Sequence, residues 1–239
     1  MKKIICDDPI SAAEAAADIF ETQIKEKPKT VLGLSTGSTP IGLYNELVSR
    51  SKAGKIDFSN VKTFNLDEYY PIKTGHKQSY SSFMNEHLFS KTKFSNTRLL
   101  SGEASNPHDE CAKFDAEIIA AGGIDLQLLG LGRNGHIGFN EPAVSYPIGS
   151  NLVDLTEDTL DANSRFFSSD ETQPTQALTM GIGSIFNARQ ILLLITGEGK
   201  ADITKKLFDG VLHTDVPACF LLLHPNVTVI LDKAAAGKL

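Results

Sequence analysis

Val31-Leu32-Gly33-Leu34-Ser35-Thr36-Gly37-Ser38-Thr39-Pro40 passes from apolar residues into a hydroxyl-rich turn and then a proline. Its first four residues suit a buried strand, and Pro40 suits the first turn of a helix, where its missing N–H is not needed. A strand that feeds a helix through a glycine turn is the repeating unit of a parallel sheet. The same rhythm recurs along the chain. Strands are expected at 3–6, 31–34, 61–65, 98–100, 125–131, 190–196, 218–223 and 227–231. The later ones are continuously apolar, the pattern of parallel strands covered on both faces. Helices are expected at 11–25, 41–52, 79–89, 109–121, 175–186 and 200–208, the first opened by an S-x-x-E capping box of Ser11 and Glu14. The alternation predicts a doubly wound α/β fold: a mostly parallel, Rossmann-like open sheet with helices on both faces, in one domain spanning 1–239. One stretch breaks the rhythm. From about 140 to 174 the chain is polar, Pro-interrupted and rich in Ser, Asp and Thr, and an insertion of that length is expected to act as a lid.

The 239 residues are 41% hydrophobic and 22% charged, with 23 Lys and Arg against 29 Asp and Glu, a net charge of -6. That balance excludes the basic face a nucleic-acid or anionic-membrane binder needs. An anionic ligand would have to be held by a few placed cations and backbone dipoles. Cys6, Cys111 and Cys219 form no C-x-x-C pair and read as reduced thiols. The apolar run after Met1 is too short for a signal peptide, and those at 191–195 and 219–223 are too short to span a bilayer. A cytoplasmic location is expected.

Three glycine turns follow strands. The first, Gly33 to Pro40, fits G-x-S-x-G, the nucleophile elbow of hydrolases, but no HGGG-like oxyanion segment precedes Ser35. A phosphate cradle suits it better: small residues expose backbone N–H groups, hydroxyls add donors, and a helix N-terminus supplies positive potential. The second, Gly130-Leu131-Gly132-Arg133-Asn134-Gly135, formally fits G-x-G-x-x-G. The dinucleotide reading needs a helix next, whereas His136-Ile137-Gly138-Phe139-Asn140-Glu141-Pro142 follows. Its glycines are expected to bring a reactive cluster to the sheet's carboxyl edge. The third, Thr196-Gly197-Glu198-Gly199-Lys200, puts a lysine where a helix dipole disfavours it. Lys200 is either an ordinary surface lysine or a cation facing a bound anion.

Asp67 and Glu68 are adjacent acids at a strand end, so at most one should enter a given cleft. His136 and Glu141, in a glycine-rich loop, could form an acid/base pair. Arg165, beside Phe166 and Phe167, either anchors its loop or offers a guanidinium fork to phosphate. The remaining histidines are scattered, without metal-ligand spacing.

Gly33–Pro40, Leu66-Asp67-Glu68-Tyr69, Gly130–Pro142, 162–167 and Gly197–Lys200, taken in this order and spacing over almost the whole chain, resemble the glucosamine-6-phosphate deaminase (isomerase) family. The G-H-I-x-F-N-E-P run separates this family from the related 6-phosphogluconolactonases. The resemblance implies conversion of glucosamine 6-phosphate and water to fructose 6-phosphate and ammonium, without metal or organic cofactor. It implies that Asp67 is the base moving a proton from C2 to C1 through an enolamine, and that His136 with Glu141 opens the sugar ring. It implies that Ser35, Thr36, Gly37, Ser38, Thr39, Arg165 and Lys200 hold the 6-phosphate.

Two departures stand out. Many family members carry Asp where this chain has Asn134; an amide orients an imidazole but carries no charge, so Glu141 is expected to supply the carboxylate. The basic residues and longer tail of the family's allosteric members are also missing, so a monomer or small homo-oligomer is expected. The alternatives are a 6-phosphogluconolactonase-like hydrolase and a non-catalytic sugar-phosphate effector domain. The latter explains neither the conjunction of Asp67, His136 and Glu141 nor the lack of a basic helix-turn-helix.

Overall fold

The computed structural model describes the chain except residues 165, 166 and 168–170 and the side chains of 158 and 162–164. In chain order its elements are β1 (Lys2–Cys6), α1 (Pro9–Glu26), β2 (Val31–Leu34), α2 (Pro40–Lys52), β3 (Lys62–Asn65), β4 (Asp67–Tyr70), α3 (Tyr80–Met84), β5 (Asn96–Arg98), α4 (Pro107–Ala120), β6 (Leu126–Gly130), β7 (Asn151–Asp154), α5 (Glu157–Ser164), β8 (Gln176–Thr179), α6 (Ile182–Phe186), β9 (Gln190–Ile195), α7 (Ala201–Leu207) and β10 (Val227–Asp232). A π-helical turn, Asn85–Phe89, prolongs α3.

Seven strands form one sheet in the order β1-β10-β9-β6-β2-β3-β5, and every neighbouring pair is parallel. Leu32, Leu34, Leu192, Leu194 and Ile230 pack on one face, with Phe20 of α1 and Leu43 of α2. Ile191, Leu193, Ile195, Val229 and Leu231 pack on the other, with Phe114 and Ile118 of α4. Both faces are covered, which is why β9 is apolar at successive positions rather than alternate ones. Each such side chain wholly removed from water contributes roughly 1.5–3 kcal/mol.

From β2 the chain proceeds to β3 and β5 on one side, whereas β6 lies on β2's other side and leads on to β9 and β10. The loops leaving β2 and β6 therefore diverge. Such a switch point opens the crevice in which α/β sheets bind ligands.

Several expectations are corrected. Asp8, not Ser11, caps α1: its carboxylate accepts the Ser11 N–H at 2.8 Å, and Ser11 Oγ accepts the Asp8 N–H at 3.1 Å. Pro9, suited to the first helical position, begins the helix earlier than the Ser11–Glu14 pattern does. The strand expected at 98–100 lies slightly earlier, at Asn96–Arg98, in register with β3. The run 218–223 is not a strand but part of a 3₁₀ segment, Pro217–Leu223. There the Ala218 N–H bonds to the Gly135 carbonyl at 2.9 Å instead of a neighbouring strand.

The expected helix 175–186 splits at Gly181 into β8 and α6. A Cβ at Gly181 would fall 2.1 Å from the Gly149 carbonyl oxygen, so two backbones meet where the helix was expected to continue. The resulting β8 is the centre of a second, antiparallel sheet, β4-β8-β7. The polar insertion therefore carries a strand, β7, and a helix, α5, rather than loop alone.

Candidate active site

Four loops leave the carboxyl ends of four adjacent strands, β9, β6, β2 and β3. After β2, Ser35 is buried, Thr36 and Thr39 are half-buried, and Gly37 and Ser38 are exposed. Thr39, the residue capping α2, makes no side-chain capping bond. The first amides of α2 thus lack a hydroxyl cap, as suits a turn that receives an anion. The buried Tyr44 hydroxyl donates to the Ser35 carbonyl and anchors this turn from below.

Lys200 ends the 3₁₀ turn after β9, and its Nζ donates to the Leu131 carbonyl at 2.6 Å, leaning across the end of β6. Burial first, and then the charge of Arg133, lower its pKa from the usual lysine value. A half-desolvated ammonium of this kind gains most from an anion partner.

Asp67 and Glu68 open β4, and their side chains part as the strand period requires. Glu68 turns inward and accepts backbone N–H groups of Tyr69, Tyr80 and Ser81 at 2.8–3.0 Å, tying α3 to the strand. Burial nevertheless raises its pKa to about 7. Asp67 is buried, and its Oδ1 has no hydrogen-bond partner among the described residues. Burial and then the neighbouring Glu68 push its carboxyl up to about 8, so it is a far stronger base once ionised than a solvated aspartate.

After β6, the His136 N–H bonds to Asn134 Oδ1 at 3.2 Å, and His136 Nδ1 lies 3.1 Å from Glu141 Oε2. Gly132 makes room for this: a Cβ there would sit 2.4 Å from the imidazole. Asn134 Nδ2 donates to the same Glu141 oxygen at 2.6 Å. The amide therefore orients Glu141 and the backbone of His136, not the ring directly as expected from sequence. Burial raises the Glu141 carboxyl, but the His136 contact, Thr159 and Asn134 outweigh it and hold Glu141 below its usual range. An ionised Glu141 fixes the proton on Nδ1 and leaves Nε2 for substrate.

The second sheet joins Asp67 to the histidine loop. Thr179 pairs with Asp67 across β4 and β8, and its Oγ1 accepts the Phe139 N–H at 3.1 Å. Asn140 Nδ2 donates to the carbonyls of Ile137 and Met180 at 3.0 Å each. A Cβ on Gly138 would lie 3.7 Å from Asp67 Oδ2, so the histidine loop backs directly onto the aspartate.

A buried carboxyl beside an imidazole–carboxylate pair, at the same sheet edge as a helix start without a side-chain cap, suits proton transfers on a phosphorylated substrate. Arg165 lies outside the described residues. Thr159, whose Oγ1 donates to Glu141 Oε1 at 2.7 Å, escaped the sequence reading; only its T-x-x-T spacing from Thr156 hinted at a helix start. Among the described residues no cluster of three or more His, Cys, Asp or Glu could hold a metal ion, and no helix is long and apolar enough to cross a membrane.

The family model described as glucosamine-6-phosphate isomerases/6-phosphogluconolactonase matches residues 9–230. The chain belongs to this family. Within the family it is similar to a glucosamine-6-phosphate deaminase of Thermoanaerobacter pseudethanolicus (strain ATCC 33223 / 39E), 51% identical over 239 residues, 99% of this chain and 94% of that one. A glucosamine-6-phosphate deaminase of Clostridioides difficile (strain 630) is 46% identical, with 100% and 97% covered. The solved structure of a monomeric glucosamine-6-phosphate deaminase superposes with a TM-score of 0.95 at 40% identity, with both chains covered entirely. A 6-phosphogluconolactonase from Thermotoga maritima superposes at 0.75 with 21% identity, 97% of this chain and 99% of that one covered, and shares the fold.

Proposed function

We propose that the protein is a glucosamine-6-phosphate deaminase, converting glucosamine 6-phosphate and water to fructose 6-phosphate and ammonium. Full-length identity of 51% to a relative of that name supports the activity, and the single observation that carries the chemistry is the buried, partner-poor Asp67 carboxyl backed by the His136–Glu141 loop.

The phosphate sits on the Ser35–Thr39 turn, held by its amides and hydroxyls and by Lys200, with Arg165 as a second cation. His136, oriented through Nδ1 by Glu141, uses Nε2 to move a proton between the ring oxygen and the C1 hydroxyl, opening the ring to the aldehyde. Asp67 then takes the proton from C2 as the carbonyl oxygen at C1 gains one from the substrate's own ammonium group, giving the enolamine. The protonated Asp67 returns its proton to C1, and the double bond shifts to C2 and nitrogen. Water adds to that iminium carbon, and the nitrogen departs as ammonium with the protons that water gives up, leaving the C2 ketone. Exclusion of water until the enolamine has collapsed is the task of the 140–174 insertion, acting as a lid on a single domain.

The monomeric relative, at 40% identity, supports a monomer or small homo-oligomer. Placement in the cytoplasm fits the reduced cysteines and the sugar-phosphate substrate. Purified protein given glucosamine 6-phosphate should release ammonium and form fructose 6-phosphate in equal amounts, with or without a chelator. Lactone hydrolysis without ammonium release would favour the 6-phosphogluconolactonase reading.

A further inference from the structure

Glu141 offers two oxygens, and they are held from two directions. Oε2 receives Asn134 Nδ2 and faces His136 Nδ1, both from the loop after β6. Oε1 receives the hydroxyl of Thr159, which belongs to α5 in the polar insertion, 18 residues further on. Thr159 is buried, and its Oγ1 accepts in turn from the Thr156 hydroxyl at 3.1 Å. Thr156 stands just before α5 and also receives the Thr159 N–H at 3.4 Å. The start of the helix and the carboxylate are thus joined by one directed chain of hydroxyls.

We infer that Thr159 is a positioning residue for ring opening: seating α5 turns the Glu141 carboxylate so that its other oxygen meets His136 Nδ1, and proton transfer becomes efficient only with the helix in place. This rests on the deaminase reading. A carboxylate held at one oxygen alone can rotate about its last bond, and its hydrogen bond to the imidazole then loses both length and angle. A threonine hydroxyl held by its own donor can offer its proton in one direction only. It also stabilises the charged form of Glu141, because a hydrogen bond donated to a carboxylate lowers its pKa. Of the titratable groups facing Glu141 among the described residues, His136 is in contact, and Tyr146 is near enough that its phenol, raised chiefly by burial, also feels the charges of Asp215 and Glu141. Neither supplies the hydrogen bond that Thr159 makes.

Thr159→Val keeps the shape and removes the donor; Thr159→Ser keeps the donor. Steady-state rates for both variants and the wild type are measured on glucosamine 6-phosphate across pH. Loss of one hydrogen bond to a charged group predicts a kcat about tenfold lower in Thr159→Val, with KM within about twofold. The Glu141 carboxyl, followed by carbon-13 NMR of the labelled side chain, should titrate about one pH unit higher, since it ionises less readily without that donor. Thr159→Ser should restore both. Thr156→Val, at an exposed position, should move the Glu141 titration in the same direction by less, and it serves as the readout should Thr159→Val fail to fold.

A Glu141 titration that stays in place in both valine variants overturns the role of Thr159, as does a loss confined to KM or to thermal stability. A wild type that releases no ammonium refutes the deaminase reading itself and this role with it; an active wild type beside unshifted variants refutes only the role.

Discussion

Replacing Asp67 by Asn is expected to yield a poorer catalyst that resists unfolding better at alkaline pH. Burial, and then Glu68, raise this carboxyl to about 8 from an ordinary 3.8. Below a pH of about 4 the group holds its proton in folded and unfolded chains alike, so its titration contributes nothing. Between about 4 and 8 the unfolded chain ionises there while the folded chain keeps the proton. The folded state then binds more protons, and stability falls as pH rises. Above 8 both forms are ionised and the deficit is complete. Each pH unit inside this window costs about 1.4 kcal/mol, so three units, from pH 5 to pH 8, cost at most about 4 kcal/mol. An amide does not titrate and escapes the loss. Urea unfolding of both proteins at pH 5 and pH 8 measures the effect, and comparing the two pH values cancels the constant cost of exchanging an acid for an amide. The advantage of the variant should grow by about 2–4 kcal/mol, the lower figure reflecting water that reaches an open crevice. Its ammonium release should fall by at least about 10²-fold, as expected on losing a general base. An advantage that stays constant from pH 5 to pH 8 would mean that Asp67 titrates as a solvated carboxyl, and the reasoning about its basicity would fail.

Two further substitutions probe the rest of the site. Lys200→Met removes the half-buried ammonium that donates to the Leu131 carbonyl and, if it holds the phosphate as proposed, should raise KM by about 10- to 100-fold, the loss of one charge-assisted hydrogen bond, with kcat changed far less; a KM equal to wild type in initial-rate assays would take Lys200 off the phosphate. Gly132→Ala places a carbon 2.4 Å from the imidazole. It should displace His136 from Glu141 and lower kcat by about tenfold or more while the fold survives; unchanged kcat would show that the His136–Glu141 geometry does not govern the rate.

The parallel sheet was legible because β2, β6, β9 and β10 must bury both faces, and only apolar side chains do so cheaply. The carboxyl-edge site was legible because the fold concentrates glycine, hydroxyl and acid residues there, at Ser35, Asp67, His136 and Glu141. The second sheet was not. β7 is only half-buried, so its residues show neither strict alternation nor a continuous apolar run. The segment Ala218–Leu223 shows the converse difficulty, since burial alone makes a run apolar whatever its backbone does. Its 3₁₀ form depends on the Gly135 carbonyl, a partner more than 80 positions away. Thr159 was hidden in the same way over a shorter span, since its hydrogen bond to Glu141 reaches 18 residues back and follows no local pattern. Asn134 was noticed for the charge it lacks, whereas the structure uses the amide proton it has.

The most direct measurement follows one hydrogen. Glucosamine 6-phosphate deuterated at C2 should be turned over in ordinary water with a primary isotope effect, and part of the deuterium should appear at C1 of fructose 6-phosphate, carried by the single shielded carboxyl of Asp67. Turnover at the full rate, without an isotope effect and with all deuterium lost to solvent, would contradict transfer through that residue.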